Sequence, residues 1–132
     1  MSIDAALAEL FSRYENIFTE YNGVDVKDVN QPGLGEDSLL HLAAFHSDCS
    51  DVELLLKHGA YVNKKGVIGL TALHYAAAEN KLDVVKLLVR YGADKSSKNE
   101  FGESALDWAR NSNAKDVVAF LENPSDLSLE LR

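Results

Sequence analysis

The feature that most constrains this chain is an internal repeat with a spacing of 33 residues. Residues 38–44 (SLLHLAA) align without a gap with residues 71–77 (TALHYAA) and residues 104–110 (SALDWAR). The same offset relates Val52 to Val85 and Val118. Self-similarity at a fixed period of about 20–50 residues is the signature of a repeat architecture. The chain is therefore predicted to fold as a row of similar units.

The middle unit shows how one repeat begins. Thr71 follows a turn at Gly69, and its hydroxyl can cap a helix by accepting a backbone N–H. Leu73, Ala76 and Ala77 then stand at i, i+3 and i+4, which is one narrow face of a short helix. Because alanine is small, this face predicts the close approach of a second helix.

A second helix is predicted from about residue 83 to residue 90. Its broad apolar face consists of Val84, Val85, Leu87, Leu88 and Val89. Gly92 supplies the left-handed residue that ends it. Two such short helices cannot bury their apolar faces alone, so neighbouring units must stack.

With this period and the motif at residues 71–77, the chain resembles the ankyrin-repeat family, whose signature is T-P-L-H-x-A. The resemblance covers about residues 28–122 and is strongest over residues 69–96. It implies an all-α solenoid of about three 33-residue helix–turn–helix units, with β-turn fingers projecting at right angles. It also implies that the chain binds another macromolecule and does not catalyse a reaction.

Several positions depart from the family pattern. The proline of the motif is replaced by Leu39, Ala72 and Ala105, so no unit has a preset φ at its helix start. Asp107 replaces the motif histidine and Lys115 replaces an apolar residue, as expected for a C-terminal cap that faces water. In the first unit, Cys49 and Asp51 are expected to weaken the second helix in the same way.

We expect one domain with a cap at its N-terminal end. Apolar residues recur every three or four positions over residues 2–21, which predicts a helix. This segment is either a single helix that packs on the first repeat or a degenerate repeat of two short helices, since residues 23–26 (GVDV) imitate residues 59–62 (GAYV). The predicted divisions are an N-terminal helical cap 1–27, repeats 28–63, 64–96 and 97–122, and a tail 123–132.

Charge excludes one class of partner. The chain has 13 basic and 21 acidic residues, a net charge of −8, which would repel a nucleic-acid backbone. Residues 1–40 hold eight acidic and two basic residues, a net charge of −6, and such an acidic end favours a basic partner surface. The longest apolar stretch without charge, residues 67–78, is much shorter than the roughly 20 residues that span a bilayer.

No residue pattern indicates catalysis, a metal or a cofactor. His41 and His74 stand one repeat apart without a cluster of other ligands around them. The family resemblance implies that each imidazole bonds to the backbone of the adjoining turn and joins neighbouring units. Cys49 is expected to be a small buried hydrophobe, and Trp108 is expected to pack in the structure. The chain is therefore predicted not to be an enzyme.

The resemblance also implies that fingers and inner helix faces form a concave contact surface. Val67, Ile68, Leu70 and Phe101 are unusually apolar for exposed turn tips, and grouped exposed apolar residues mark interfaces. The alternative is that some of them fold back onto the next finger. The predicted partner-binding residues are Leu34, Asp37, Phe45, His46, Val67, Ile68, Leu70, Glu79, Phe101, Glu103 and Asn111.

Two functions fit these observations. The first is a non-enzymatic protein-binding module in the cytoplasm, a monomer on its own that binds neither nucleic acid nor membrane. The second is an immunity protein or antitoxin that occludes the active site of a toxin such as a basic nuclease, because an acidic surface would steer association with a basic cleft. An enzyme is a remote third possibility.

Overall fold

The structure is a computed structural model that describes residues 5–17, 28–31, 33, 35–46 and 48–122. This part of the chain forms α-helices and one 3₁₀ turn, Val67–Gly69, without a β-strand. The helices are α1 (Ala5–Ile17), α2 (Leu39–His46), α3 (Cys49–Lys57), α4 (Ala72–Ala78), α5 (Leu82–Arg90), α6 (Ala105–Asn111) and α7 (Lys115–Glu122).

The helices form two layers. The first helices of the units, α2, α4 and α6, pack side by side in one layer, and the second helices, α3, α5 and α7, pack in the other. Within each unit the two helices also contact each other. The predicted all-α stack of helix–turn–helix units is confirmed. We call the layer of α2, α4 and α6 the inner layer and the other the outer layer.

The core lies between the layers. Leu55, Leu73 and Leu88 are fully buried there. Along the inner helices Ala43, Ala76 and Ala109 have no exposed surface, so the small side chains that predicted close helix approach do lie in the packed region.

Hydroxyl caps start α4 and α6 in the absence of the family proline. Thr71 accepts from the backbone N–H of His74, and the backbone N–H of Thr71 bonds in turn to Nδ1 of His74. Ser104 and Asp107 form the same reciprocal pair at the start of α6. The predicted cap at Thr71 is therefore confirmed. Asp107 keeps the capping role of the histidine that it replaces.

The N-terminal cap is one continuous helix over its described residues, and it packs on α3. Leu7, Leu10, Phe11 and Tyr14 are buried along it. The similarity of residues 23–26 to a repeat turn lies outside the described residues, as does the predicted tail. Helix α1 covers the apolar side of the first outer helix.

Asp51 corrects an expectation about the first unit. Its carboxylate is buried and accepts hydrogen bonds from Arg13 (2.9 and 3.1 Å) and from the hydroxyl of Tyr14 (3.0 Å). The expectation that Asp51 weakens α3 is wrong, because this residue joins α3 to α1. Cys49 is half-buried against the core.

Asparagine side chains join successive units at the loop that follows each outer helix. Asn30 donates to the carbonyl of Gly59 (2.9 Å) and accepts from the backbone N–H of Tyr61 (2.9 Å). One repeat later, Asn63 donates to the carbonyl of Gly92 (3.1 Å) and accepts from the backbone N–H of Asp94 (2.8 Å). Each amide thus satisfies two backbone groups of the loop one repeat length further along the chain and fixes the spacing of the stack.

Candidate protein-binding groove

Each finger is the loop that leads from an outer helix to the next inner helix. In the second finger the backbone N–H of Gly66 donates to the carbonyl of Leu70 (2.8 Å), and in the third finger Asn99 donates to Glu103 in the same way (2.9 Å). The backbone N–H of Glu100 also donates to the carbonyl of Ile68 (2.9 Å). The two fingers therefore have matching turns and are bonded to each other.

Two buried histidines hold the fingers to the inner helices. The backbone N–H of Ser38 donates to Nδ1 of His41, so Nε2 carries the proton and donates to the carbonyl of Leu70 (2.9 Å). His74 repeats this arrangement with the carbonyl of Glu103 (2.9 Å). Burial lowers the pKa of both imidazoles, which keeps them neutral. The expected link between neighbouring units is confirmed.

Asp37 and Leu70 occupy equivalent positions in two fingers, and both are buried. The carboxylate of Asp37 accepts from the backbone N–H of Val67 (3.0 Å) and from the hydroxyl of Tyr75 (2.7 Å). Leu70 is only 3% exposed, so the expectation that it is an exposed fingertip is wrong. Its backbone carbonyl accepts from both Nε2 of His41 and the backbone N–H of Gly66.

Apolar side chains remain at the finger tips. Val67 is 42% exposed and Phe101 is 71% exposed, while Ile68 is half-buried. Ile68 has a φ of 48°, which places a β-branched residue in the left-handed region. The tips thus present apolar surface, part of it on strained backbone.

The inner helices add an aromatic cluster. Phe45 lies at the exposed end of α2, with its ring edge-to-face against Tyr75 (5.6 Å between centroids) and against His46 (4.6 Å). Nζ of Lys81 donates to the carbonyl of Phe45 (2.6 Å). Glu79, directly after α4, and Asn111, the last residue of α6, are exposed. We call the finger tips together with this inner-helix surface the groove.

The geometry of capped, stacked helix pairs with linked fingers matches what family comparison finds. A family model described as ankyrin repeats, three copies, matches residues 6–99 and 40–130. The chain belongs to the ankyrin-repeat family. A comparison with curated protein sequences found no match. Ankyrin repeats are in general protein-binding modules.

Glu103 lies at the third finger of this ankyrin-repeat protein, where its carboxylate has internal partners. It accepts from Nδ2 of Asn99 (2.9 Å) and from Nε1 of Trp108 (3.0 Å), and these bonds lower its pKa. The Trp108 ring lies edge-to-face against His74 (6.0 Å). As expected, Trp108 has packing contacts. Glu103 is half-buried and joins the third finger to α6 through these two bonds.

Six of the predicted contact residues of this ankyrin-repeat protein are exposed on the fingers and inner helices or directly after them: Phe45, His46, Val67, Glu79, Phe101 and Asn111. Leu34 lies outside the described residues, and Asp37, Leu70 and Glu103 serve the finger framework. Sequence reasoning missed Tyr75, whose hydroxyl links an inner helix to Asp37. Aromatic replacement at the position of Leu42 was the available signal.

No group of three or more metal-ligating side chains occurs among the described residues. The thiol of Cys49 has its pKa raised by burial, which disfavours the reactive thiolate. None of the described helices has the length and hydropathy to span a membrane.

Proposed function

We propose that this ankyrin-repeat protein recognises a partner protein through the groove and catalyses no reaction. The contact surface consists of the finger tips Val67, Ile68 and Phe101 together with exposed inner-helix residues. Those inner-helix residues are Phe45, His46, Glu79 and Asn111. The surface is supported by hydrogen bonds of three residues beneath it, Asp37, Leu70 and Glu103.

The observation that carries the proposal is the pair of neighbouring finger tips. Val67 and Phe101 expose apolar side chains, and the bond from Glu100 to the carbonyl of Ile68 joins their fingers. Exposed aromatic and aliphatic side chains on rigid backbone lose little conformational entropy when a partner covers them. Ile68 adds to this, because a β-branched residue at positive φ costs stability and strain of this kind concentrates at functional sites.

The test compares two double variants with the same change in net charge. Val67→Asp with Phe101→Asp charges the finger tips, whereas Lys115→Gln with Ala119→Asp alters exposed positions on α7. Bound proteins are captured from the source cell and quantified by mass spectrometry. We expect the finger variant to lose its partner, the α7 variant to retain it, and both to unfold at the temperature of the original chain.

Two results would contradict the proposal. One is retention of the partner by the finger variant at undiminished affinity. The other is a large loss of thermal stability in that variant, because it would show that Val67 and Phe101 pack in the fold.

A second candidate function is inhibition of a basic toxin such as a nuclease. The net charge of −8 supports it, because an acidic inhibitor is steered to a basic active-site cleft. The purified partner decides between the two candidates. Loss of the partner's enzymatic activity in the complex, with an association rate that falls as salt rises, supports the inhibitor. Capture of a partner without toxic activity contradicts it.

A further inference from the structure

Basic residues are concentrated in two short segments of this acidic chain. Residues 57–65 and 90–98 together hold six of the 13 basic residues and one of the 21 acidic residues, a net charge of +5. The rest of the chain carries seven basic and 20 acidic residues, a net charge of −13. The two segments are related by the 33-residue offset, and we call them together the basic edge.

Only these two segments have a positive net charge among the four segments related by the 33-residue offset. The equivalent segments on either side, residues 24–32 and residues 123–131, have net charges of −1 and −2. The fold itself therefore does not require lysines here. If charge served only solubility at these loops, a negative net charge like that of the equivalent segments would be sufficient.

The two segments lie against each other in the structure. Asn63 bonds to the backbone of Gly92 and Asp94, and Nζ of Lys65 donates to the carbonyl of Lys98 (3.1 Å). Besides Lys65, the side chains exposed along the edge include Lys57, Lys64, Arg90 and Lys98. The exposed basic side chains thus lie on two loops that are bonded to each other, and these loops make up one strip across two units.

Two exposed tyrosines stand within this strip. Tyr61 is 65% exposed and Tyr91 is 38% exposed. Tyr61 replaces an aspartate: at the equivalent positions Asp28 accepts from the backbone N–H of Asn30 (2.7 Å) and Asp94 accepts from that of Ser96 (2.9 Å). The middle unit lacks this capping carboxylate and exposes an aromatic ring in its place. Tyr61 gives up the hydrogen bond that stabilises the turn, and its exposed ring gains little packing in return. Such a departure from local preference is typical of a residue that contacts a partner.

We propose that the basic edge binds an acidic, extended segment of a partner protein. Carboxylates of the segment pair with Lys64 and Lys98, and its apolar side chains lie on the rings of Tyr61 and Tyr91. The basic edge shares no residue with the groove and precedes the finger tips in the same two loops.

Charge complementarity favours a short acidic segment over a nucleic acid. A long polyanion would extend past the edge and meet the net charge of −13 on the rest of the chain. A short segment stays within the edge, where screening over about 8–10 Å limits repulsion from distant carboxylates. Tyrosine rings also offer apolar contact to peptide side chains at low entropic cost.

The test measures fluorescence anisotropy with a short, fluorescein-labelled glutamate peptide that contains two phenylalanines. We expect Lys64→Glu and Lys98→Glu each to weaken binding by about tenfold at low salt, since each replaces an attraction by a repulsion. Lys115→Glu makes the same change of charge on α7 and should alter affinity by less than about twofold. Tyr61→Ser leaves the charge unchanged and should still weaken binding.

Circular-dichroism melting of every variant confirms that it is folded, and the uncharged variant Val67→Ser with Phe101→Ser should bind the probe as the original chain does. The proposal is overturned if the original chain does not bind the probe at low salt, or if Lys115→Glu weakens binding as much as Lys98→Glu. It is equally overturned if Tyr61→Ser has no effect. Tighter binding of a labelled oligothymidylate than of the peptide would assign the edge to nucleic acid instead.

Discussion

Nε2 of His41 donates a hydrogen bond of 2.9 Å to the backbone carbonyl of Leu70, which belongs to the next repeat unit. His74 makes the equivalent bond to Glu103, so the same interaction recurs along the stack. In both cases Nδ1 accepts from a backbone N–H, and both ring nitrogens are used by the neutral tautomer. Protonation would place a proton on Nδ1 and break that bond.

This arrangement predicts that the protein loses stability in weak acid. Burial lowers the pKa of both imidazoles below the ordinary value of 6.5 in the folded chain only. The unfolded chain therefore takes up protons first as the pH falls below that value, and the free energy of unfolding falls by up to about 1.4 kcal/mol per pH unit for each histidine. Well above pH 6.5 both histidines are neutral in both states, and the free energy of unfolding no longer depends on them. It stops falling once the pH is below their pKa values in the folded chain.

The measurement is urea unfolding at a series of pH values between neutral and weakly acid. His41→Gln with His74→Gln should flatten the dependence, whereas His46→Gln, at an exposed position, should keep the original slope. An unchanged slope in the double variant would refute the assignment to the two buried histidines.

Gly66→Ala is predicted to destabilise the second finger because its added methyl group has no space. A Cβ at residue 66 would lie 2.2 Å from Oδ1 of Asp37, whose carboxylate holds Val67 and Tyr75. We expect a loss of about 1–3 kcal/mol in the free energy of unfolding, as for other overpacked sites. A double-mutant cycle with Asp37→Ala checks the cause: the cost of Gly66→Ala should be smaller when the carboxylate is absent.

Asp51→Ala is predicted to loosen the N-terminal helix from the repeats. The substitution removes the acceptor of the buried Tyr14 hydroxyl and of the Arg13 guanidinium, which should cost about 1–3 kcal/mol. Arg13→Ala should cost less, about 0.5–1 kcal/mol, because that side chain is 44% exposed. The exposed pair Glu53 and Lys57, 3.8 Å apart, is the control, and Glu53→Ala should have almost no effect on chemical unfolding.

Ile68→Asn is predicted to stabilise the fold and weaken partner binding. Asparagine tolerates positive φ, so the substitution relieves strain of about 1 kcal/mol at the finger tip while it removes apolar surface. Calorimetry and a binding assay with the captured partner measure the two effects. Val67→Asn, at a neighbouring position without positive φ, should weaken binding without raising the melting temperature.

The repeat pattern predicts the architecture of this molecule well because its information is local and periodic. The cap at Thr71 and the buried alanine face follow from residues within one unit, whereas the histidine links were expected from the resemblance to the ankyrin-repeat family. Periodicity also places each residue in its unit. It does not say whether a finger residue points outwards, which is why Leu70 was expected at the surface.

The contacts that sequence reasoning missed join residues whose partners have no repeat equivalents. Asp51 bonds to Arg13 and Tyr14 in the cap, which lies outside the periodic region. Tyr75 bonds to Asp37, but at the next position along the stack Trp108 bonds to Glu103 by a different geometry. Such pairs depend on single substitutions in two units at once, so the repeat pattern does not identify the partner of either residue.

The asparagine links between units also bear on how a chain of this kind can lengthen. The side chains of Asn30 and Asn63 each bond to the loop one repeat further along the chain, while the side chain of the equivalent Ser96 bonds to Asp94 within its own turn. Tandem duplication of the segment that carries Asn63 would give each new copy an asparagine that can bond to the backbone of the following copy. Copying the segment that carries Ser96 would not, so descendants with extra copies should arise from the middle of the gene.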